Sequence, residues 1–243
     1  MFSRRDLLTG SIAVLGAAGC TATGSTTTIT SVNGMLVAPK GEKFPVKPVS
    51  LARIPAKYHR QVVRNSTGEG PGTIVVEPDQ KFLYLVLSDR QALRYGIGVG
   101  RAGFGWNGEA VIKAKRQWPA WHPPKEMQLR DPLAAKWADG MPGGPTNPIG
   151  ARGLYLYQGN VDTLYRIHGT AEVNSIGRAV SSGCIRMLHA DVIDLYDRVP
   201  IGTRVVVRRS GGEIMADAAR DIGADLGNAA RSIGDTLRRA VEG

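Results

Sequence analysis

The chain of 243 residues carries 31 Lys and Arg against 21 Asp and Glu, a formal net charge of +10, and two cysteines. That length suits one substantial domain with tails. The cysteines form no CxxC pair and no Cys/His cluster, so we expect no metal site. The positive charge is spread out and no nucleic-acid-binding signature accompanies it, so we expect no nucleic-acid partner. A diffuse positive surface suits an acidic polymer or an acidic lipid equally well.

The N-terminus has the pattern of an export signal. Arg4 and Arg5 form a twin-arginine pair, and the apolar stretch 7–18 is shorter than the roughly 20 residues that span a bilayer. We therefore expect residues 1–24 to direct export, and the protein to work in the periplasm or cell envelope. Cys20 follows small residues, as the lipidated cysteine of a bacterial lipoprotein does, but the same residues suit ordinary cleavage. A membrane tether through a lipidated N-terminus and simple removal of the signal both stay open.

The middle of the chain predicts a mainly β domain. Residues 25–71 contain scattered prolines and predict an extended N-terminal segment, whereas 72–209 contain β-branched and aromatic runs separated by turn residues. Residues 191–199 have helical spacing. The predicted strands are 73–77, 81–87, 93–99, 111–117, 151–157, 164–168 and 203–208.

Two further segments have a distinct composition. The segment 118–148 is rich in Pro, Gly and Trp and is long for a loop in a compact domain. Its tryptophans argue against disorder, so we predict a lid or a pocket wall. Near the C-terminus apolar residues recur at helical spacing, which predicts an amphipathic helix over 213–243 that packs on the body or self-associates.

A glycine motif imitates a nucleotide-binding loop. Gly98, Gly100 and Gly103 spell GxGxxG after a predicted strand. A dinucleotide site also needs a helix whose N-terminus receives the pyrophosphate, and the residues after Gly103 do not favour one. We interpret these glycines as turn residues and expect no cofactor.

Cys184 has the surroundings of a nucleophile. In an exported protein it would be an unpaired thiol in an oxidising compartment, a liability unless it has a chemical role. An imidazole such as that of His168, at the end of a predicted strand, can take the proton of the thiol. Ser182 and Gly183 let a carbonyl approach and let amide N–H groups face an oxyanion. Arg186, two residues beyond Cys184 on an extended stretch, can hold a substrate carboxylate or orient the site.

These residues carry a resemblance to a known family. The motif His168-Gly169-Thr170, followed after a spacer by Ser182-Gly183-Cys184-Ile185-Arg186-Met187, resembles the signature of the YkuD-type L,D-transpeptidases. Pro148-Ile149-Gly150 agrees with it, and the resemblance covers about 72–208. Ser182 stands where many members have His. The resemblance implies a mainly β, sandwich-like fold with one or two short helices.

The resemblance also implies a cysteine acyltransferase without a cofactor. Cys184 would attack the carbonyl between the third and fourth residues of a peptidoglycan stem peptide, and D-Ala would leave. An amine would resolve the thioester. His168 would act as base, held by the Gly169 carbonyl, with the amides near Gly183 as oxyanion donors. The acceptor stays open between another stem, an outer-membrane protein and water, the last giving an L,D-carboxypeptidase. A non-catalytic wall-binding lipoprotein is the remaining alternative.

Overall fold

The structure is a computed structural model that describes residues 31–101, 106–181, 183–209 and 211. The expected export signal 1–24, Cys20, Ser182 and the expected C-terminal helix 213–243 lie outside the described residues.

Short strands dominate the described residues. They are β1 Ser31–Val32, β2 Met35–Leu36, β3 Val49–Ser50, β4 Gln61–Arg64, β5 Ile74–Glu77, β6 Phe82–Val86, β7 Gln91–Gly96, β8 Val99–Gly100, β9 Gly108–Gln117, β10 Arg152–Gln158, β11 Val161–Thr170, β12 Ala179–Ser181, β13 Ile185–Leu188 and β14 Arg204–Val207. The α-helices are α1 Lys125–Gln128, α2 Pro132–Lys136 and α3 His189–Arg198. Single 3-10 turns occur at Leu51–Arg53, Ala56–Tyr58 and Val173–Ser175.

Nine of the described strands form one mixed sheet, in the order β13-β11-β10-β9-β14-β5-β6-β7-β4. The pairs β11 with β13 and β14 with β5 are parallel, and the other neighbours in this sheet are antiparallel. A parallel pair needs a crossover connection. The chain between β11 and β13 supplies it, and the second strand of the pair begins just after Cys184.

The sheet curls over a single main core. Leu83 and Leu93, from strands near one end of the sheet, belong to the same buried cluster as Ile167 and Ile185, from strands at the other end. One face of α3 completes this cluster through Val192, Leu195 and Val199. Strands from opposite ends of one sheet can share a core only if the sheet bends over itself, so the mainly β, sandwich-like prediction is confirmed.

The predicted strands are all present, with ends shifted by a few residues, and the helix predicted at 191–199 is α3. Two features were not predicted. The segment 118–148 contains the short helices α1 and α2, so the described helices exceed the expected one or two. Residues 61–64, within the expected extended segment 25–71, form β4 and pair with β7 at the edge of the main sheet.

The N-terminal part of the described chain packs on the domain through Tyr58. This ring belongs to a second buried cluster with Ile176 and Leu188. Two glycines make room for it. A Cβ at Gly96 would lie 2.5 Å from the Tyr58 carbonyl oxygen, and one at Gly177 would lie 2.3 Å from the ring. This segment therefore has defined contacts, which composition did not reveal.

The glycine motif was interpreted wrongly at Gly98. Its N–H and carbonyl pair with the backbone of Arg186, at 2.9 and 2.8 Å. A Cβ at Gly98 would lie 2.6 Å from the carbonyl oxygen of Ser175. Gly98 is thus required by close backbone packing beside β13, not by a turn. Among the described residues, no helix is both long and apolar enough to cross a membrane.

Candidate active site

The pairing of β11 with β13 brings the two expected reacting residues together. His168 is the partner of Arg186 in this parallel pair, so their side chains share one face of the sheet. Side chains alternate along a strand, so Cys184, two residues before Arg186, points to that same face. His168 and Cys184 are therefore diagonal neighbours on adjacent strands.

His168 is buried, with 4% of its surface exposed. Its Nδ1 lies 2.7 Å from the Gly169 carbonyl oxygen, the contact that the resemblance implied. A carbonyl only accepts, so Nδ1 carries the proton in the neutral ring and Nε2 keeps a lone pair. Burial lowers the pKa of His168 to about 4, and the charge of Arg186 acts in the same direction, against the carbonyls of Gly169 and Ile149. The imidazole is therefore neutral at neutral pH and able to accept a proton.

Cys184 is a free cysteine and is partly exposed. Burial of its sulfur raises the pKa of the thiol, whereas a hydrogen bond from the Arg166 backbone and the charges of Arg166 and Arg186 favour the thiolate. With a raised thiol pKa and a lowered imidazole pKa, the resting pair is a neutral thiol beside a neutral imidazole. Such a pair reacts by general-base transfer of the proton rather than from a preformed ion pair.

The loop before Cys184 is held by Ser181. The Ser181 hydroxyl donates to the Cys184 carbonyl oxygen at 2.7 Å and accepts from the Gly183 N–H at 3.2 Å. Gly183 has φ of 129°, a conformation that side chains rarely allow. The Gly183 amide, which the sequence assigned to an oxyanion, is thus engaged within the loop. It could serve a substrate only after giving up its bond to Ser181.

Gly169 and Arg186, two further residues of the motif, have contacts that the sequence did not predict. Gly169 is buried, and a Cβ there would lie 2.6 Å from the His189 ring, so this glycine allows α3 to pack on β11. The Arg186 guanidinium pairs with Glu172 at 2.7 Å. Neither residue is among those that line the cavity beside Cys184.

That cavity has a volume of about 420 Å³. Gly183 and Cys184 lie on its wall, together with Tyr155 from the middle of β10 and four residues from the first half of β11, Thr163, Leu164, Tyr165 and Arg166. Another part of the wall comes from the segment 118–148, which is therefore a pocket wall, one of the two alternatives predicted for it. Of that segment, the lining residues are Ala120, Trp121, His122, Pro124, Glu126, Met127 and Arg130.

Arg166 lines the cavity, although the sequence analysis did not predict it as a site residue. It lies two residues before His168 on β11, hence on the same face of the sheet. That spacing was the available signal, because His168 and its strand were both predicted.

The wall segment has a small core of its own. Trp121, Ala134 and Met141 are buried together, and Trp121 and Met141 exchange backbone hydrogen bonds of 2.8 Å. Asp131 caps α2 by accepting from the N–H groups of Leu133 and Ala134. This wall is therefore a packed structure and not a loose loop.

Asn147 fastens the wall to the domain. It is buried, its amide nitrogen lies 3.0 to 3.2 Å from the carbonyl oxygens of Pro119, Met141 and Pro142, and its oxygen accepts from the Ile149 N–H. Asn147→Asp keeps the shape but removes the donor. We expect the free energy of unfolding to fall by about 2–3 kcal/mol, because buried carbonyls lose their partner, and urea denaturation measures it.

The matched control for this prediction is Asn160→Asp. The Asn160 side chain accepts from the exposed Lys113 ammonium at 2.8 Å, a role that a carboxylate can fill. We expect this variant to stay within about 0.5 kcal/mol of the parent protein, as most surface changes do. Equal stability of the two variants would contradict the assigned role of Asn147.

Within the described ranges, no three His, Cys, Asp or Glu side chains are grouped as a metal site would need. The groups that line the cavity are a thiol, aromatic rings, guanidinium groups, one carboxylate, the Thr163 hydroxyl and apolar side chains such as Met127 and Leu164.

Known proteins are similar to this chain in sequence. The model of the YkuD family, the L,D-transpeptidase catalytic domain, matches residues 71–207. Over 143 residues the chain is 31% identical to the probable L,D-transpeptidase YbiS of Escherichia coli K12, covering 55% of this chain and 43% of the relative. Over 138 residues it is 34% identical to the probable L,D-transpeptidase ErfK/SrfK of the same strain, with coverage of 55% and 43%. The chain thus spans less than half the length of these curated relatives.

A solved structure from Brucella melitensis, described as a probable carnitine operon oxidoreductase caia, is 52% identical, with coverage of 64% of this chain and 97% of that one, at a TM-score of 0.45. The family model covers more than half of the chain, including both motif segments around His168 and Cys184. The chain therefore belongs to the family defined by the L,D-transpeptidase (YkuD) catalytic domain.

Proposed function

We propose that this protein is a peptidoglycan L,D-transpeptidase with Cys184 as nucleophile and His168 as general base. The observation that carries the proposal is the position of Cys184 on the wall of a 420 Å³ cavity, with neutral His168 diagonally beside it on the neighbouring strand. The donor is a stem tetrapeptide, which is extended and polar enough to occupy an open cavity lined by aromatic rings and guanidinium groups.

In the first half-reaction, His168 takes the thiol proton as the Cys184 sulfur attacks the carbonyl between the third and fourth residues of the stem. The oxyanion collapses, the carbon–nitrogen bond breaks, and the amine of D-Ala leaves with the proton that His168 returns. A thioester remains on Cys184. The Nδ1–H group of His168 donates to the Gly169 carbonyl, so Nε2 is the atom that accepts and returns the transferred proton.

In the second half-reaction an amine attacks the thioester. His168 takes a proton from this amine, the carbon–sulfur bond breaks, and the proton returns to the sulfur. The acceptor in the proposal is the side-chain amine of a neighbouring stem, which gives a cross-link. An outer-membrane protein bearing an accessible amine would be attached to the wall by the same step.

The location belongs to the proposal as well. A wall-directed enzyme must be exported to the periplasm or envelope, and the twin-arginine pattern of residues 1–24 supports export. Lipidation of Cys20 would add a membrane tether.

Product analysis tests the proposal. Purified protein is incubated with tetrapeptide stems that carry a diamino acid at position three, and the products are separated and weighed by mass spectrometry. We expect free D-Ala, a dimer that lacks one D-Ala, and a transient thioester mass on the protein. Tripeptide monomers without dimer would instead indicate hydrolysis, and unchanged tetrapeptide without any adduct would overturn the proposal.

A further inference from the structure

Arg166 lies beside the reacting sulfur. Tyr155 on β10 is the partner of Arg166 on β11, so their side chains share a face. The next strand, β13, pairs Ile167 with Ile185 in parallel, and continuing that register by one residue sets Cys184 beside Arg166. Tyr155, Arg166 and Cys184 thus form one row across three strands that are about 4.8 Å apart. All three line the cavity.

The Arg166 guanidinium is fixed in this row by several contacts. Two of its nitrogens donate to the two carboxylate oxygens of Asp162, at 2.6 and 2.7 Å. One of these nitrogens also donates to the Tyr165 carbonyl oxygen at 2.9 Å. The guanidinium carbon lies 4.3 Å from the centre of the Tyr155 ring. A bidentate ion pair with a carboxylate restricts the orientation of a guanidinium group. The positive charge of Arg166 therefore has a fixed position relative to Cys184.

The charge has a chemical use at this position. Neutral His168 cannot stabilise a thiolate before it has taken the proton, and burial opposes the thiolate. A fixed cation stabilises negative charge on sulfur as it develops. The groups near Cys184 on the adjacent strand and on its own are Arg166, His168 and Arg186. Tyr165 also lines the cavity from the adjacent strand, and the titratable and charged groups that share the cavity from other elements are His122, Glu126, Arg130 and Tyr155.

Arg186 is less suited to this role than Arg166. Its guanidinium is directed to Glu172, which is 68% exposed, and it does not line the cavity. Asp162, in contrast, is the ion-pair partner of Arg166. Burial pushes the pKa of Asp162 upward, yet hydrogen bonds from Arg166 and Leu164 hold it below its usual value, so Asp162 is ionised at neutral pH.

We propose that Arg166 is a positioning residue that stabilises the Cys184 thiolate, and that Asp162 both orients the guanidinium and limits how much of its charge the sulfur experiences. The proposal rests on Cys184 being the reactive group of the proposed function. The proposal predicts opposite effects on ionisation of the thiol for two substitutions. Arg166→Gln removes the cation, and Asp162→Asn removes its counter-charge.

The rate of alkylation of Cys184 by iodoacetamide, measured from pH 6 to 10, tests this inference. A shift of one unit in the thiol pKa changes the thiolate fraction at neutral pH tenfold. For Arg166→Gln we expect alkylation at pH 7 to slow about tenfold, and for Asp162→Asn to quicken about threefold. The rise of the alkylation rate with pH should move to higher pH in Arg166→Gln and to lower pH in Asp162→Asn.

Arg204→Gln is the matched control, because Arg204 forms an equivalent fork on Glu109, at 2.7 and 3.1 Å, away from the cavity. It should leave alkylation unchanged. Slower alkylation in both site variants at every pH would indicate a structural role and overturn the proposal, as would no change in either. If Arg166→Gln does not fold, Asp162→Asn still tests the proposal, since only the electrostatic role predicts faster alkylation of Cys184. Alkylation needs no peptide, so failure of the transpeptidase assay would leave this result independent.

Discussion

Replacement of Cys184 by Ala is expected to lower acyl transfer by a factor on the order of 10⁶, the size of loss seen when an acyl-transfer enzyme loses its nucleophile. The variant should form no thioester with a tetrapeptide and no covalent adduct with a carbapenem, the class of inhibitor that the family resemblance leads us to expect. Both are measured by the mass of the intact protein. Cys184→Ser should be almost as inactive, because an imidazole with a pKa of about 4 is too weak a base for a hydroxyl.

The loss should not come from unfolding. Cys184 is partly exposed, and the hydrogen bonds of its loop run through the Ser181 hydroxyl and backbone groups, so Ala changes few contacts. We expect the free energy of unfolding to change by about 1 kcal/mol or less. Cys20→Ala, at the other cysteine of the sequence, is the control and should keep full acyl transfer. Adduct formation by Cys184→Ala would rule out this residue as the nucleophile.

Local sequence patterns predicted the strands and helices whose formation depends mainly on residues near one another in the chain. Alternate residues of β5 and β7 lie in the main core, as period-two patterns predict, whereas Val75 between Ile74 and Val76 belongs to a separate buried cluster. The strand β4 was missed because Gln61–Arg64 is short and lies among prolines, and only pairing with β7 makes it a strand. The helix α2 had a readable signal, since Asp131 followed by Pro132 is a favoured start.

The sequence predicted the two central residues of the candidate site, but not all the contacts of the residues around them. The motif identified Cys184 and His168, and the Gly169 carbonyl contact followed from the resemblance. The partner of Arg186 did not, because Glu172 reaches it only through the crossover between β11 and β13. The spacing of Arg166 from His168 was readable, but the position of Arg166 beside Cys184 depends on the register of β13 against β11. Side-chain pairs of this kind depend on tertiary packing, which one sequence does not encode in any local pattern.

The protonation state of His168 gives the second large effect. His168→Gln removes the general base, and we expect acylation at pH 7 to fall by a factor on the order of 10⁴. In the parent protein the rate should remain nearly constant down to about pH 5 and fall only near pH 4, because His168 is neutral above its lowered pKa. The variant should show no such plateau. Its rate should rise about tenfold per pH unit until the thiol ionises without help.

Unfolding in acid must be separated from loss of the base. Buried His168 and His189 both have their pKa lowered to about 4, against 6.5 in an unfolded chain. At these two positions the unfolded state therefore binds more protons between these values, and their contribution to folding stability decreases as the pH falls from 6.5 to 4. Asp191, whose pKa burial raises to about 7, contributes in the opposite direction. Tryptophan fluorescence recorded at each pH shows whether the protein is still folded where the rate declines. A decline centred near pH 6.5 in folded protein would mean that His168 titrates as an exposed histidine does, and that the neutral pair of thiol and imidazole is not the resting state.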